Sequence, residues 1–450
     1  MNVFFVSMGC AKNTVDSERL MGRLVALGHS IVDEPDGADV GIINTCGFIQ
    51  DAVKENIDAI LDLERMKQDG TIKRIVVAGC LVNRYEAELR KELPSVDLFA
   101  RAEEWDSVAD FISSLERGKN GKQTSGELVC GRFMSSFGTP WSRFLKVGEG
   151  CDTFCSYCSI PFIRGRLRSV PVEELVKEAV ALCESGAKEL CLVGQDLTAY
   201  GRDLYGEPAL KRLIAELDRE IPDKTWLRLL YLHPDRLTED VADFLMGTDK
   251  VLPYLDVPIQ HIDDDILKRM NRRPASAHIR TIFKHIRNAD PLFTLRTTIM
   301  TGVPGETEEQ FQKVLDFLEE AELDRVGVFA YSPEEGTPAA SFPDAVPHEI
   351  AEERRARIME RQSDISQKRG ELFIGRKLDV MIEEYGFTET DEGYGPMFGR
   401  SYRDAPEVDG VVCVEGLNEY EVSPGDIVSV NITGCEEHDL FGNISETEEN

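Results

Sequence analysis

The 450-residue sequence has no stretch of eighteen consecutive apolar residues, which excludes an ordinary membrane-spanning helix. Its opening, MNVFFVSMGC, has no basic segment ahead of the apolar residues, so it reads as a first β-strand and not as an export signal. A cytoplasmic protein is expected. Its eleven cysteines are then expected to be metal ligands or buried thiols, not disulfides. Heptad repeats are absent, so nothing points to coiled-coil assembly. Positive charge is scarce: 51 lysines and arginines face 82 aspartates and glutamates, a net charge of −31. That balance fits a basic partner, avoidance of nucleic acid, or adaptation to salt. It makes nucleic-acid binding weak or incidental unless a local basic patch exists. The length is that of about two to four domains.

The chain is organised around Gly150-Cys151-Asp152-Thr153-Phe154-Cys155-Ser156-Tyr157-Cys158. Structural zinc takes four protein ligands, and no second Cys-x-x-Cys or histidine pair lies near this loop. Three thiolates suit a 4Fe–4S cluster, whose fourth iron stays open for a substrate or cofactor. The spacing resembles that of the radical S-adenosylmethionine (SAM) enzymes. The resemblance implies that Cys151, Cys155 and Cys158 hold a cluster whose open iron binds SAM, and that Tyr157 meets the adenine.

Residues 1–118 alternate strand and helix patterns. Strands are expected at Val3–Met8, Val40–Thr45, Ile75–Gly79 and Val96–Ala100, with helices at Val15–Leu27, Ile49–Lys67, Tyr85–Leu93 and Trp105–Leu115. This predicts an α/β, flavodoxin-like unit: a parallel sheet covered by helices, with ligands at the carboxyl ends of its strands. Cys10, Cys46 and Cys80 stand at three such ends, each beside a glycine. One cysteine there is ordinarily a buried thiol. Three at equivalent ends point to a second cluster, again with one iron lacking a protein ligand. GKNGKQTSGE then reads as part of a linker, residues 119–136. Cys130 receives no role.

Residues 137–368 give six strand–helix units, three-quarters of an eight-unit (β/α) barrel, with the chemistry at the carboxyl ends of the strands. The strands are expected near Arg143–Gly148, Glu189–Gln195, Thr225–Tyr231, Tyr254–Gln260, Phe293–Met300 and Arg325–Tyr331. By resemblance, Gln195 stands where radical-SAM enzymes place a residue that meets the SAM amino group, and Gly302 lies in the turn near the ribose or adenine. Arg296 is placed either to pair with a cofactor carboxylate or to form an ion pair inside the barrel. His261 reads as a capping or core histidine. Arg164, Arg166 and Arg168 either hold the cluster loop at the site entrance or form a solvated basic face. Cys183 and Cys191 read as core.

A charged helical pattern, Pro347–Leu372, leads out of the barrel. Residues 369–450 then read as a small β-barrel of the oligonucleotide-binding type, with strands near Lys377–Glu384, Gly410–Val414 and Asp426–Ile432. This unit resembles a TRAM domain. Residues 376–450 hold 19 acidic and 4 basic side chains, a poor surface for phosphates.

The opening SMGCAKNTVDSE, with Asn13 and Asp16-Ser17-Glu18, resembles that of the radical-SAM methylthiotransferases. The tRNA-modifying members usually carry an aromatic before Gly-Cys and Gln-Met after it. Here Met8 precedes and Ala11-Lys12 follows. GRSYRDAPEVDG, residues 399–410, resembles the branch that modifies a ribosomal protein. The resemblance covers the whole chain. It implies two 4Fe–4S clusters and a methylthio group added to the β-carbon of an aspartate in small-subunit ribosomal protein twelve. One SAM would donate the methyl group and another the 5′-deoxyadenosyl radical, because an aliphatic C–H bond is beyond side-chain acid–base chemistry. A flavodoxin or ferredoxin would donate electrons. The competing readings are methylthiolation of a tRNA adenosine and, in another class, a non-catalytic iron–sulfur carrier or RNA-binding module.

Overall fold

The computed structural model describes residues 1–115, 126–134, 139–273, 275–386, 396–415 and 422–445. The first unit is a five-stranded parallel sheet of β1 (Asn2–Ser7), β2 (Ser30–Val32), β3 (Val40–Thr45), β4 (Arg74–Gly79) and β5 (Leu98–Ala100), in the order β2-β1-β3-β4-β5. This is the flavodoxin-like order. Helices α1 (Ala11–Ala26), α2 (Gln50–Gln68), α3 (Cys80–Glu92) and α4 (Trp105–Ser114) cover it. Two apolar layers result. Val3, Leu20, Met21, Leu24 and Val108 fill one face, and Ile43, Ile60, Ile75, Val77 and Leu81 the other. Burial on both faces explains why β3 and β4 read as near-continuous apolar runs.

The described part of the expected linker folds back as a hairpin. Strands β6 (Glu127–Val129) and β7 (Arg132–Met134) pair antiparallel across Cys130 and Gly131, both at positive φ, as a tight two-residue hairpin turn requires. The rest of the Gly/Lys/Ser run, residues 116–125, lies outside the described residues. Arg132 is buried against α1, where it pairs with Glu18 and, at 2.7 Å, with Glu178, and donates to the Phe144 carbonyl at 2.9 Å. That guanidinium ties the hairpin to both larger units.

The central unit is a six-stranded, all-parallel open barrel. Its strands are β8 (Ser142–Lys146), β11 (Glu189–Val193), β12 (Trp226–Leu229), β13 (Val251–Asp256), β14 (Thr294–Thr301) and β15 (Arg325–Ala330). A two-strand clip, β9 (Gly148–Glu149) with β10 (Arg168–Ser169), closes the base of the cysteine loop. Helices such as Val172–Glu184, Leu210–Glu220 and Glu308–Ala321 pack outside. The helix His348–Glu371 leaves the barrel.

The third unit is a closed barrel, β16 (Lys377–Tyr385), β17 (Met397–Arg400), β18 (Val412–Glu415), β19 (Ile427–Cys435) and β20 (Leu440–Ile444), in the order β16-β17-β18-β20-β19. The sequence patterns miss β17 and β20, because each carries a central glycine, which weakens a strand signal. A Cβ on Gly399 would stand 2.4 Å from the Met381 carbonyl, and one on Gly442 2.4 Å from that of Asn431. The glycines allow neighbouring backbones to close the small barrel.

The segment after β17 enters the amino-terminal end of the large barrel. Arg400 pairs with Glu189 at 2.8 Å, and Arg228 with the same carboxylate at 2.7 Å. Asp404 pairs with Arg325 at 2.7 Å, the Tyr254 hydroxyl donates to Asp409 at 2.7 Å, and Ala405 packs with Val193, Leu230 and Tyr254. The acidic turn 404–410 is therefore a barrel plug.

Candidate iron–sulfur site

The three amino-terminal cysteines meet at the carboxyl ends of β1, β3 and β4. Cys10 caps α1, Cys46 follows β3, and Cys80 opens α3. A Cβ on Gly9, which has φ +96°, would lie 2.7 Å from Cys46 Cβ, and one on Gly47 2.8 Å from Leu81 Cα. Only glycines let these loops approach so closely. Asn13 clamps them, donating to the carbonyls of Met8 at 2.8 Å and Thr45 at 3.1 Å. Burial raises the Cys46 thiol, and raises Cys80 to about 11 despite the nearby Arg164. Burial opposes ionisation of Cys10 too, but Lys12, the helix amides and Arg164 outweigh it, and its thiol is lowered.

Cys151, Cys155 and Cys158 occupy the loop after β9. Gly150, at φ +75°, lets the loop turn against the Arg166 carbonyl, 2.1 Å from where a Cβ would be. The Cys151 amide donates to the Gly165 carbonyl at 3.1 Å and the Cys158 amide to Cys155 at 3.0 Å. Ser156 pins the loop through its amide to Met270 at 3.0 Å and its hydroxyl to Arg269 at 2.8 Å. Burial and the adjacent Cys155 push Cys158 up to about 12. Thiols grouped in this way, two of them buried and four partly so, are the donor set that a cationic cluster would stabilise as thiolates. Among the described residues, no three His, Cys, Asp or Glu side chains converge as a single metal ion requires. A four-iron cluster binds its cysteines on separate irons, so its ligands stand apart. The residues fit that group in both loops.

Arg164 links the amino-terminal triad to the base of the second cysteine loop. Its Nε donates to Cys80 Sγ at 3.0 Å, its Nη1 to Asp16 at 2.9 Å and Glu149 at 2.8 Å, and its Nη2 to Asn13. Lys146 reaches the same two carboxylates at 2.5 Å each. Burial disfavours the Glu149 charge, but Lys146 and Arg164 outweigh it and hold its carboxyl at about 2. Of the three arginines after the loop, only Arg164 turns inward. Arg166 is exposed, stacking on Phe154 at 5.0 Å, and Arg168 is exposed as well.

The expected SAM contacts divide. Tyr157 is packed with Ile266, Met270 and Val303, and its hydroxyl receives Arg272 at 3.2 Å. Gln195 donates to Glu149 at 2.8 Å, and its buried Oε1 has no partner among the described residues. Gly302 ends β14, its amide held by Glu306. Arg296 meets carboxylates of the barrel and of the plug. It pairs with Asp256 at 2.9 Å and Asp409 at 3.3 Å, so its charge is spent locking the plug. The ion-pair alternative is the one the geometry favours for it. His261 is fully buried and accepts the Asp263 amide at 2.9 Å, as a cap. Cys191 is buried in β11, and Cys183 sits beside Thr225. Glu149, Lys146 and Arg272 carried no motif and were missed. The i, i+3 spacing of Asn13 and Asp16 on one face of α1 was the available signal.

Three family models match: "Uncharacterized protein family UPF0004" over residues 2–100, "Radical SAM superfamily" over 145–318, and "TRAM domain" over 374–444. A curated relative from Geobacter sulfurreducens, "Ribosomal protein uS12 methylthiotransferase RimO", is 42% identical over 98% of both chains. The chain belongs to the RimO methylthiotransferase family. A relative of the same name from Aquifex aeolicus is 42% identical over 99% of this chain and 98% of its own. Among solved structures, the radical SAM methyltransferase TsrM from Kitasatospora setae, with cobalamin and a [4Fe-4S] cluster bound, aligns at a TM-score of 0.55. It covers 73% of this chain and 74% of its own at 15% identity, which is a likeness of fold. The cobalamin-dependent radical enzyme OxsB aligns at 0.50, covering 75% and 54% at 12% identity.

Proposed function

We propose that this RimO-family enzyme adds a methylthio group to an aspartate β-carbon of ribosomal protein uS12, with a 4Fe–4S cluster on each cysteine triad. The observation that supports the reading is the Arg164 bridge, which ties Cys80 of the amino-terminal triad to Glu149 at the base of the second cysteine loop. When bound, the clusters and SAM supply the radical and the sulfur that side chains cannot. Cys151, Cys155 and Cys158 would hold one cluster and Cys10, Cys46 and Cys80 the other. Tyr157, beside Cys155 and Cys158, and Gln195, bound to Glu149, are assigned to SAM, with the Gly302 turn next to Val303, on which Tyr157 packs. Glu149, fixed as a carboxylate, holds Gln195, Lys146 and Arg164 in register. Electrons would come from a flavodoxin or ferredoxin-type protein, and the reaction is placed in the cytoplasm.

Charge favours the protein substrate over tRNA. Of the 4 basic residues in 376–450, Arg400 and Arg403 are buried, and of the 19 acidic ones Asp404 and Asp409 are buried in ion pairs, leaving Arg376 and Lys377 against 17 acidic side chains. A phosphate backbone would be repelled, and a basic ribosomal protein attracted. The test is expression in a bacterial strain lacking its own uS12 methylthiotransferase, followed by mass spectrometry of uS12 and of tRNA nucleosides. A methylthio gain on uS12 alone supports the proposal. A gain on tRNA alone overturns it.

A further inference from the structure

Among the described residues, the basic groups around the cysteine loops are held by carboxylates or by hydrogen bonds, except one. Lys146 and Arg164 share Asp16 and Glu149. Arg236 pairs with Asp196. Arg272 has no ion pair among the described residues, but it is buried and donates to the Tyr157 hydroxyl at 3.2 Å and the Pro258 carbonyl at 2.5 Å, beside Cys155 Sγ at 3.7 Å. Lys12 makes no hydrogen bond or ion pair among the described residues. Its ammonium lies 4.3 Å from the centre of the Tyr231 ring, with Cys10, Glu149 and Arg164 as the other charged or ionisable neighbours. The side chain is half-buried: protein surrounds it, yet accessible surface remains. An ammonium carries three donors and gains most from an anion when water is scarce.

The position of this ammonium is built by both domains. Ala11 packs with Tyr231 against the apolar group of Val193, Leu230, Tyr254 and Ala405, which anchors the start of α1 in the barrel. Tyr231 stands just beyond the carboxyl end of β12, at φ +67°, a costly conformation for an aromatic residue. Its amide is held there by Asp256 at 3.1 Å. The strained backbone thus presents a ring to Lys12, and the ring orients the ammonium without neutralising it.

We infer that Lys12 is the receptor for the side-chain carboxylate of the substrate aspartate, and so sets specificity for an anionic residue over a neutral base. The inference rests on the proposed uS12 reaction. In an aspartate, the reacting β-carbon bears the carboxylate directly, so fixing the carboxylate fixes the reacting carbon. An adenine offers no anion to this site.

The competing role is charge balance for Cys10 and its neighbours, and the experiment separates the two. The anaerobically reconstituted full chain, as wild type, Lys12→Met and Lys12→Arg, is titrated with uS12 and with uS12 carrying asparagine at the modified position. Iron content and the visible spectrum are recorded for each variant. The wild type is expected to bind the aspartate form about tenfold or more tightly than the asparagine form, the scale of a hydrogen bond to a charged group. Lys12→Met should bind both equally, at the weaker level and with unchanged iron and spectrum, while Lys12→Arg recovers part of the preference. Retention of the full preference by Lys12→Met, or loss of iron from it, overturns the inference. A wild type that modifies uS12 without preferring aspartate also overturns it and leaves the uS12 reading standing. A wild type that neither binds nor modifies uS12 removes both.

Discussion

The Nε of Arg164 lies 3.0 Å from Cys80 Sγ while its Nη1 lies 2.8 Å from Glu149, so one guanidinium links the amino-terminal triad to the base of the second cysteine loop. Its fork also reaches Asp16 and Asn13, which no ammonium could match in number or direction. Arg164→Met leaves two buried carboxylates with Lys146 alone, and the expected cost is about 3–5 kcal/mol. Arg164→Lys should recover part of that stability but not the amino-terminal triad's iron. Denaturant unfolding and iron analysis check both variants. An Arg164→Met protein within about 0.5 kcal/mol of wild type would show that the bridge is idle.

Each triad is expected to hold iron independently. Cys80→Ala should lose one cluster's iron and keep the other, and Cys155→Ala should do the reverse and also abolish SAM cleavage. Iron and sulfide analysis after anaerobic reconstitution distinguishes the two. Unchanged iron in Cys80→Ala would remove the amino-terminal site from the account.

Gly9→Ala tests the close approach of the Cys10 and Cys46 loops. Gly28 is the control: its φ is +82°, close to the +96° of Gly9, but nothing lies within 4 Å of its missing Cβ. Both substitutions carry backbone strain of about 1–3 kcal/mol. Only Gly9→Ala also presses on Cys46, so only it should lose iron. Equal iron in the two variants would contradict the packing argument.

Docking of the small barrel should be acid-sensitive. Burial works against the Glu189 charge, but Arg228 and Arg400 outweigh it, holding the carboxyl at about 2 against an ordinary 4.5. A depressed folded value means that the carboxylate's stabilisation is fully present above pH 4.5 and is lost as pH falls toward 2. Its size is about 3 kcal/mol. Wild type and Glu189→Gln should therefore differ in thermal stability at neutral pH and converge across that window. A gap that stays constant down to pH 3 would contradict the assignment.

Strands β3 and β4 were legible because they are buried on both faces and spell near-continuous apolar runs, while β2, at three residues, is too short to show one. The six cysteines stood out because their spacing and their places at strand ends carry chemistry. What the sequence concealed has three physical causes. Strands β17 and β20 are broken by the glycines that close the barrel. The hairpin around Cys130 is too short to show a period, and Arg132, which anchors it, finds Glu18 more than a hundred residues away. The roles of Glu149, Lys146 and Arg296 depend on which distant charge each meets. Arg296 illustrates this: its strand position suits a cofactor carboxylate, yet Asp256 and Asp409 take its charge.

The central claim is tested most directly by incubating the anaerobically reconstituted protein with SAM, sulfide and a reductant, offering purified uS12 and bulk tRNA separately, and weighing both products by mass spectrometry. The account predicts a methylthio group on one aspartate of uS12 and none on tRNA. A methylthio group on a tRNA adenosine, with uS12 unchanged, would contradict it.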